Sequence, residues 1–72
     1  MLARENLKDF RLLKRMSQEE IANAIGYSRQ MYQQVENGAR EGTQEFWNAL
    51  QKRFDIADAD MWKLMKKTEK RG

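Results

Sequence analysis

Between Ser28 and Asn37 the chain reads SRQMYQQVEN. At about 100° per residue on an α-helix, Arg29, Gln30, Gln33, Gln34 and Asn37 share one arc. Met31, Tyr32 and Val35 cluster on the opposite arc. The polar arc offers amide and guanidinium forks and almost nothing apolar. Arginine can bind guanine O6 and N7 bidentately, glutamine or asparagine can pair with adenine N6 and N7, and a helix fits the major groove. The competing reading is a solvated helix face. Such faces are built mainly from Lys and Glu, which have high helix propensity, rather than from three glutamines.

The elements that must hold this arc are legible just upstream. Ser17 followed by Glu20 forms a capping box, in which side chains and backbone amides satisfy each other at a helix start. Ile21, Ala22 and Ile25 then share one side, Gly26 permits a tight exit, and Ser28 caps the next helix. So short a connection makes the two helices cross steeply, with Ala22 at the close approach. The sequence predicts five helices, near 2–15, 18–25, 28–36, 43–54 and 58–67.

On these residues the chain resembles the Cro/repressor-type (Xre-like) helix-turn-helix family of phage repressors and bacterial regulators. The pattern comprises SQEEIA at Ser17–Ala22, IG at Ile25–Gly26, SRQ at Ser28–Gln30 and VENG at Val35–Gly38. Weaker similarity at Leu7, Phe10, Arg11, Leu50, Phe54 and Ile56 extends it over roughly residues 5 to 65. The resemblance implies an all-α, five-helix lambda-repressor-like fold. It also implies that Ser28, Arg29, Gln30 and Gln34 contact bases, with Gln33 on the same face by angle, and that Gln18 and Asn37 hold phosphates. Arg40 is the best further phosphate candidate, and Arg11 with Glu36 should form a partly buried structural ion pair. Three positions depart from the family: Tyr32 replaces a β-branched aliphatic, Gly42 replaces a frequent proline beside acidic Glu41, and 57–60 lacks a serine cap. Tyr32 is read as core packing with a wet hydroxyl, or else as a hydroxyl reaching a phosphate. Asp58 is read as the substitute cap.

Composition narrows the function classes. At 72 residues with no Cys and no His, thiol chemistry, imidazole catalysis and the common zinc sites are excluded. No paired acidic cluster suits general acid–base work, so an enzyme, a metal site, a cofactor and a small-molecule ligand are all unexpected. No apolar run approaches a membrane span and no signal pattern opens the chain, and the DNA-binding reading implies the cytoplasm. Residues 1–67 read as one DNA-binding domain and 68–72 as a basic tail.

Net charge is +3, yet Ser17–Asn37 holds one arginine against three glutamates, a local balance of −2. Positive charge gathers instead at Arg4, Lys8, Lys14 and Arg15 and at Lys63, Lys66, Lys67, Lys70 and Arg71. The tail either tracks phosphates or complements a helix dipole before fraying. Phe46, Trp47, Leu50 and Phe54 face the core by angle, whereas Trp62 widens the Met61, Leu64, Met65 stripe beyond one neighbour's needs. Trp62 and Met65 are therefore the expected homodimer contact, the alternative being that Trp62 covers Leu12 or Leu13. A dimer would set two recognition helices about 34–36 Å apart on an inverted-repeat operator. The reading is a repressor-like regulator of double-stranded DNA. Phage switch proteins, restriction–modification controllers and antitoxins share this size and pattern, and a phage inhibitor of a host protein on the same fold is the alternative.

Overall fold

Caps and turn residues divide the chain largely where the sequence places them, and the differences lie at its two ends. The computed structural model describes residues 2–69. In order these form β1 (Leu2–Ala3), α1 (Glu5–Leu13), α2 (Gln18–Ile25), α3 (Arg29–Glu36), α4 (Gln44–Phe54), α5 (Asp58–Met65) and β2 (Thr68–Glu69). The five helices are those of the all-α reading.

The first correction concerns the predicted helix over 2–15. Leu2 and Ala3 pair antiparallel with Glu69 and Thr68, and the Arg4 amide donates to the Glu36 carbonyl at 2.9 Å, so the helix begins only at Glu5. Its C-terminal end comes early as well. Arg15 takes a left-handed φ of 57°, while the Arg15 and Met16 amides donate back to Leu12 and Arg11 carbonyls at 3.0 and 3.2 Å. That is a Schellman stop made without glycine. The last helix likewise ends at Met65, not 67, and Thr68–Glu69 form a strand paired with Leu2–Ala3. Lys70 and Arg71 lie outside the described residues.

The second correction concerns Asp58. Ala57 occupies the N-cap of α5 without a side-chain bond, and the Asp58 carboxylate accepts instead from Gln51 Nε2, which also donates to the Ile56 carbonyl at 2.9 Å. Asp58 is already the first helical residue, where its side chain cannot curl back as a cap.

Leu7, Ile21, Ala22, Ile25, Tyr32, Val35, Phe46, Trp47, Leu50, Met61 and Leu64 form the core. Phe54 is only half-buried, stacked edge-on against Phe10 with ring centroids 5.4 Å apart. Tyr32 is fully buried within this core, its ring tilted by 30° on Phe46. Its hydroxyl is neither wet nor aimed at a phosphate: it is buried and makes no hydrogen bond of good geometry among the described residues. Gly42 has a physical reason as well. Its φ of 78° is closed to proline, and a Cβ there would meet Trp47 Nε1 at 2.9 Å.

Candidate nucleic-acid interface

The turn that presents α3 is built from local hydrogen bonds. Ser17 Oγ accepts from the Glu20 amide at 3.0 Å while Glu20 Oε1 accepts from the Ser17 amide at 2.8 Å, closing the capping box. Those contacts hold the Glu20 carboxyl below the usual carboxylate range. Gly26 leaves α2 in a left-handed conformation, and Ser28 Oγ then accepts from the Met31 amide at 3.1 Å. The Ser28 oxygen thus caps α3, leaving its hydroxyl proton and one lone pair to offer outward.

Two arginines brace α3 from behind. Arg11 donates through Nε and Nη2 to the two carboxylate oxygens of Glu36, at 3.0 and 3.1 Å, and through Nη1 to the Met16 carbonyl at 2.9 Å. The bidentate pair is buried, and its hydrogen bonds with Glu36 raise the Arg11 pKa above its ordinary value. It joins α1 to the last turn of α3. Arg4, only 2 % exposed, donates to four carbonyls: Val35 at 2.6 Å, Arg40 and Met65 at 2.8 Å, and Glu41 at 3.1 Å. Its guanidinium also lies over the Trp47 ring, 5.3 Å from the centroid. Burial lowers its pKa, partly offset by Glu41.

The residues expected to meet DNA fall into three groups. Gln18, at the start of α2, and Asn37, closing α3, line one cavity of about 310 Å³ together with Lys8, Arg11 and the carboxylates Glu5 and Glu36. Arg11 is engaged by Glu36 and the Met16 carbonyl, so the donors this recess can offer a phosphate are those of Gln18, Asn37 and Lys8, beside the start of α2. Arg29 lies on the same flank, in a groove shared with Ser17, Gln18 and Glu19. Gln30 and Gln34 line a different groove with Ser28, Met31 and Arg40. Gln33 is exposed and lines neither of these grooves. Arg40 is not gathered with Gln18 and Asn37, since its Nε donates to Gln34 Oε1.

Part of the motif's acidity is bonded internally: Glu36 is matched by Arg11 and one oxygen of Glu20 accepts from the Ser17 amide, while Glu19 lines the groove beside Arg29 and Glu5 lines the Gln18–Asn37 recess. Glu41, the acidic residue of the following loop, pairs with Lys67 and lies 3.5 Å from Arg4 Nη2. Lys67 holds its carboxyl below the usual range. Lys66 sits over the Trp62 ring and Lys63 lies 3.6 Å from Asp60, so the described lysines at this end already have partners within the chain. Sequence reasoning placed Arg4 and Lys8 only among the diffuse positive charge. No local pattern marks an arginine before a helix as buried, whereas Lys8 stands one turn ahead of Arg11 on the same face of α1 and could have been found by that spacing.

A helix-turn-helix family model matches residues 7–60, three-quarters of the chain. The chain belongs to the Cro/C1-type (Xre-like) helix-turn-helix family. Members of that family are DNA-binding regulators of transcription. No curated protein and no solved structure matches this chain. Within the helix-turn-helix frame α3 is the recognition helix, and the matched span covers the capping box, the turn, α3 and α4. No helix among the described residues is long and apolar enough to cross a membrane.

Trp62 is 57 % exposed, with Met65 partly exposed beside it, and at 83 % exposure Leu13 is not covered by Trp62. Leu12 is exposed too, so the arrangement in which Trp62 buries one of these leucines is not formed.

Proposed function

We propose that this helix-turn-helix protein represses transcription by occupying an inverted-repeat operator as a homodimer in the cytoplasm. The observation that supports this most is the placement of α3. Its polar arc is free of packing duties while its opposite side is fixed by two buried arginines, and Gln18, Asn37 and Lys8 offer donors in a recess on its flank that Glu5 and Glu36 also line. Ser28, Arg29, Gln30, Gln33 and Gln34 read bases, and Gln18 and Asn37 hold phosphates. The Trp62–Met65 patch is the isologous contact, because an exposed indole beside a methionine gains most when it meets its own twin across a two-fold axis.

Selection of bound duplexes from a random pool tests the reading directly. An inverted repeat should emerge, and log affinity should fall against log salt by about 0.9 for each phosphate contacted. Sedimentation of the wild type and Trp62→Ala completes the test: a folded, monomeric variant with weaker operator binding supports the dimer. A wild type that is monomeric both free and on DNA rules it out. Enrichment of no sequence, with weak and salt-insensitive binding, would favour a protein-interaction role instead.

A further inference from the structure

Arg40 Nε donates to Gln34 Oε1 across the groove that also contains Ser28 and Gln30. The orientation of the Gln34 amide follows from chemistry: a guanidinium has no acceptor and an amide nitrogen no lone pair, so only the amide oxygen can face Arg40. The Nε2 hydrogens are left without an acceptor among the described residues. Arg40 is held in place at its backbone from both sides. Its amide donates to the Gln34 carbonyl at 3.2 Å, and its carbonyl accepts from the buried Arg4 guanidinium at 2.8 Å.

A free glutamine reads adenine by offering an acceptor to N6 and a donor to N7 at once. Here the acceptor is committed to a charged donor. A base amino group approaching the remaining lone pair would come up beside a guanidinium, donor against donor. What the pair turns outward is donors alone, the Gln34 amide hydrogens and the Nη groups of Arg40. Guanine, with O6 and N7 as adjacent acceptors in the major groove, is the base that matches such a set.

We propose that Gln34 and Arg40 act as one unit that selects guanine where an unpaired glutamine would select adenine, and that Arg40 is a specificity-determining residue rather than a phosphate ligand. This rests on the DNA-reading role proposed above. The experiment is duplex selection with the wild type, Gln34→Ala and Arg40→Ala, after checking that the thermal midpoints agree. Gln34→Ala identifies the base pair by relaxing it. At that pair the wild type should prefer guanine by about tenfold or more, and Arg40→Ala should cut this to about twofold or transfer it to adenine, leaving other positions unchanged. Replacing that guanine by 7-deazaguanine should weaken the wild type and not Gln34→Ala. Adenine at that pair in the wild type overturns the proposal. So does an Arg40→Ala profile identical to wild type with a salt slope reduced by about 0.9, the mark of one lost phosphate contact. If the wild type selects no motif at all, the DNA-reading role itself fails and this inference with it.

Discussion

Arg4 Nη1 donates to the carbonyl of Val35 at 2.6 Å, which ties the residue just ahead of α1 to the last turn of the recognition helix. The same guanidinium reaches Arg40, Glu41 and Met65, so one side chain fastens the α3 exit, the following loop and the end of α5 together. Arg4→Met removes every donor and leaves these carbonyls facing an apolar chain, at about 1–3 kcal/mol for each acceptor that water does not reach. Urea denaturation should show a loss of about 3 kcal/mol or more. Arg4→Lys should restore less than half, because a point charge cannot span what a planar fork spans. A loss below about 1 kcal/mol for Arg4→Met would mean that water replaces the guanidinium freely.

Folding and reading should separate cleanly between the two sides of α3. Arg11→Ala leaves the Glu36 carboxylate buried and unmatched, and should cost about 3–5 kcal/mol of stability while weakening binding to all duplexes alike. Arg29→Ala and Gln30→Ala remove exposed side chains and should change stability by no more than about 0.5 kcal/mol. Their cost appears as about 1–3 kcal/mol of discrimination at individual base pairs. Thermal melts paired with duplex selection measure both quantities, and equal stability losses from the two sets would overturn the assignment of faces.

Tyr32 presents the opposite situation, a buried polar atom that gains little from its surroundings. Burial first, and the neighbouring Glu36 carboxylate second, push its pKa well above the ordinary value, which keeps the hydroxyl neutral at any working pH. Tyr32→Phe keeps the ring against Phe46 and discards a hydroxyl without a good partner. Stability should stay the same or rise by up to about 1 kcal/mol in urea melts. A loss above about 1.5 kcal/mol would show that the hydroxyl supports Glu36 after all.

Acid should loosen the protein through its capping and loop carboxylates. Glu20 and Glu41 both have folded pKa values below the usual carboxylate range, Glu20 through the Ser17 amide and Glu41 through Lys67. The folded state therefore binds fewer protons than the unfolded chain. The stability these groups supply is present above the ordinary carboxylate pKa and is lost as pH falls through their folded values. Melts between about pH 5 and pH 2 should show a falling midpoint, with a shallower fall in a Glu20→Gln, Glu41→Gln double variant, whose amides can still accept hydrogen bonds but do not titrate. An unchanged slope would place the acid sensitivity elsewhere.

Local physics made the helix-turn-helix legible from residue order alone. The Ser17–Glu20 box, the Gly26 turn and the Ser28 cap are satisfied within a few residues of chain, so their types and spacing suffice to define them. The 3.6-residue period likewise separates Tyr32 and Val35 from the glutamine arc without tertiary information. The Arg11–Glu36 contact spans 25 residues, and only the family resemblance brought it into the sequence reading. What the tertiary structure alone decided depends on groups far apart in the chain. The β1–β2 pairing joins residues more than sixty positions apart, and it converts a helix start and a tail into strands whose two-residue lengths carry no pattern of their own. Arg4 looks like any surface arginine until four carbonyls from three distant segments converge on it. Arg40 offers a fork suited to phosphate in sequence, but in the fold its Nε is bonded to Gln34, because the loop that carries it is pinned from beneath by Arg4.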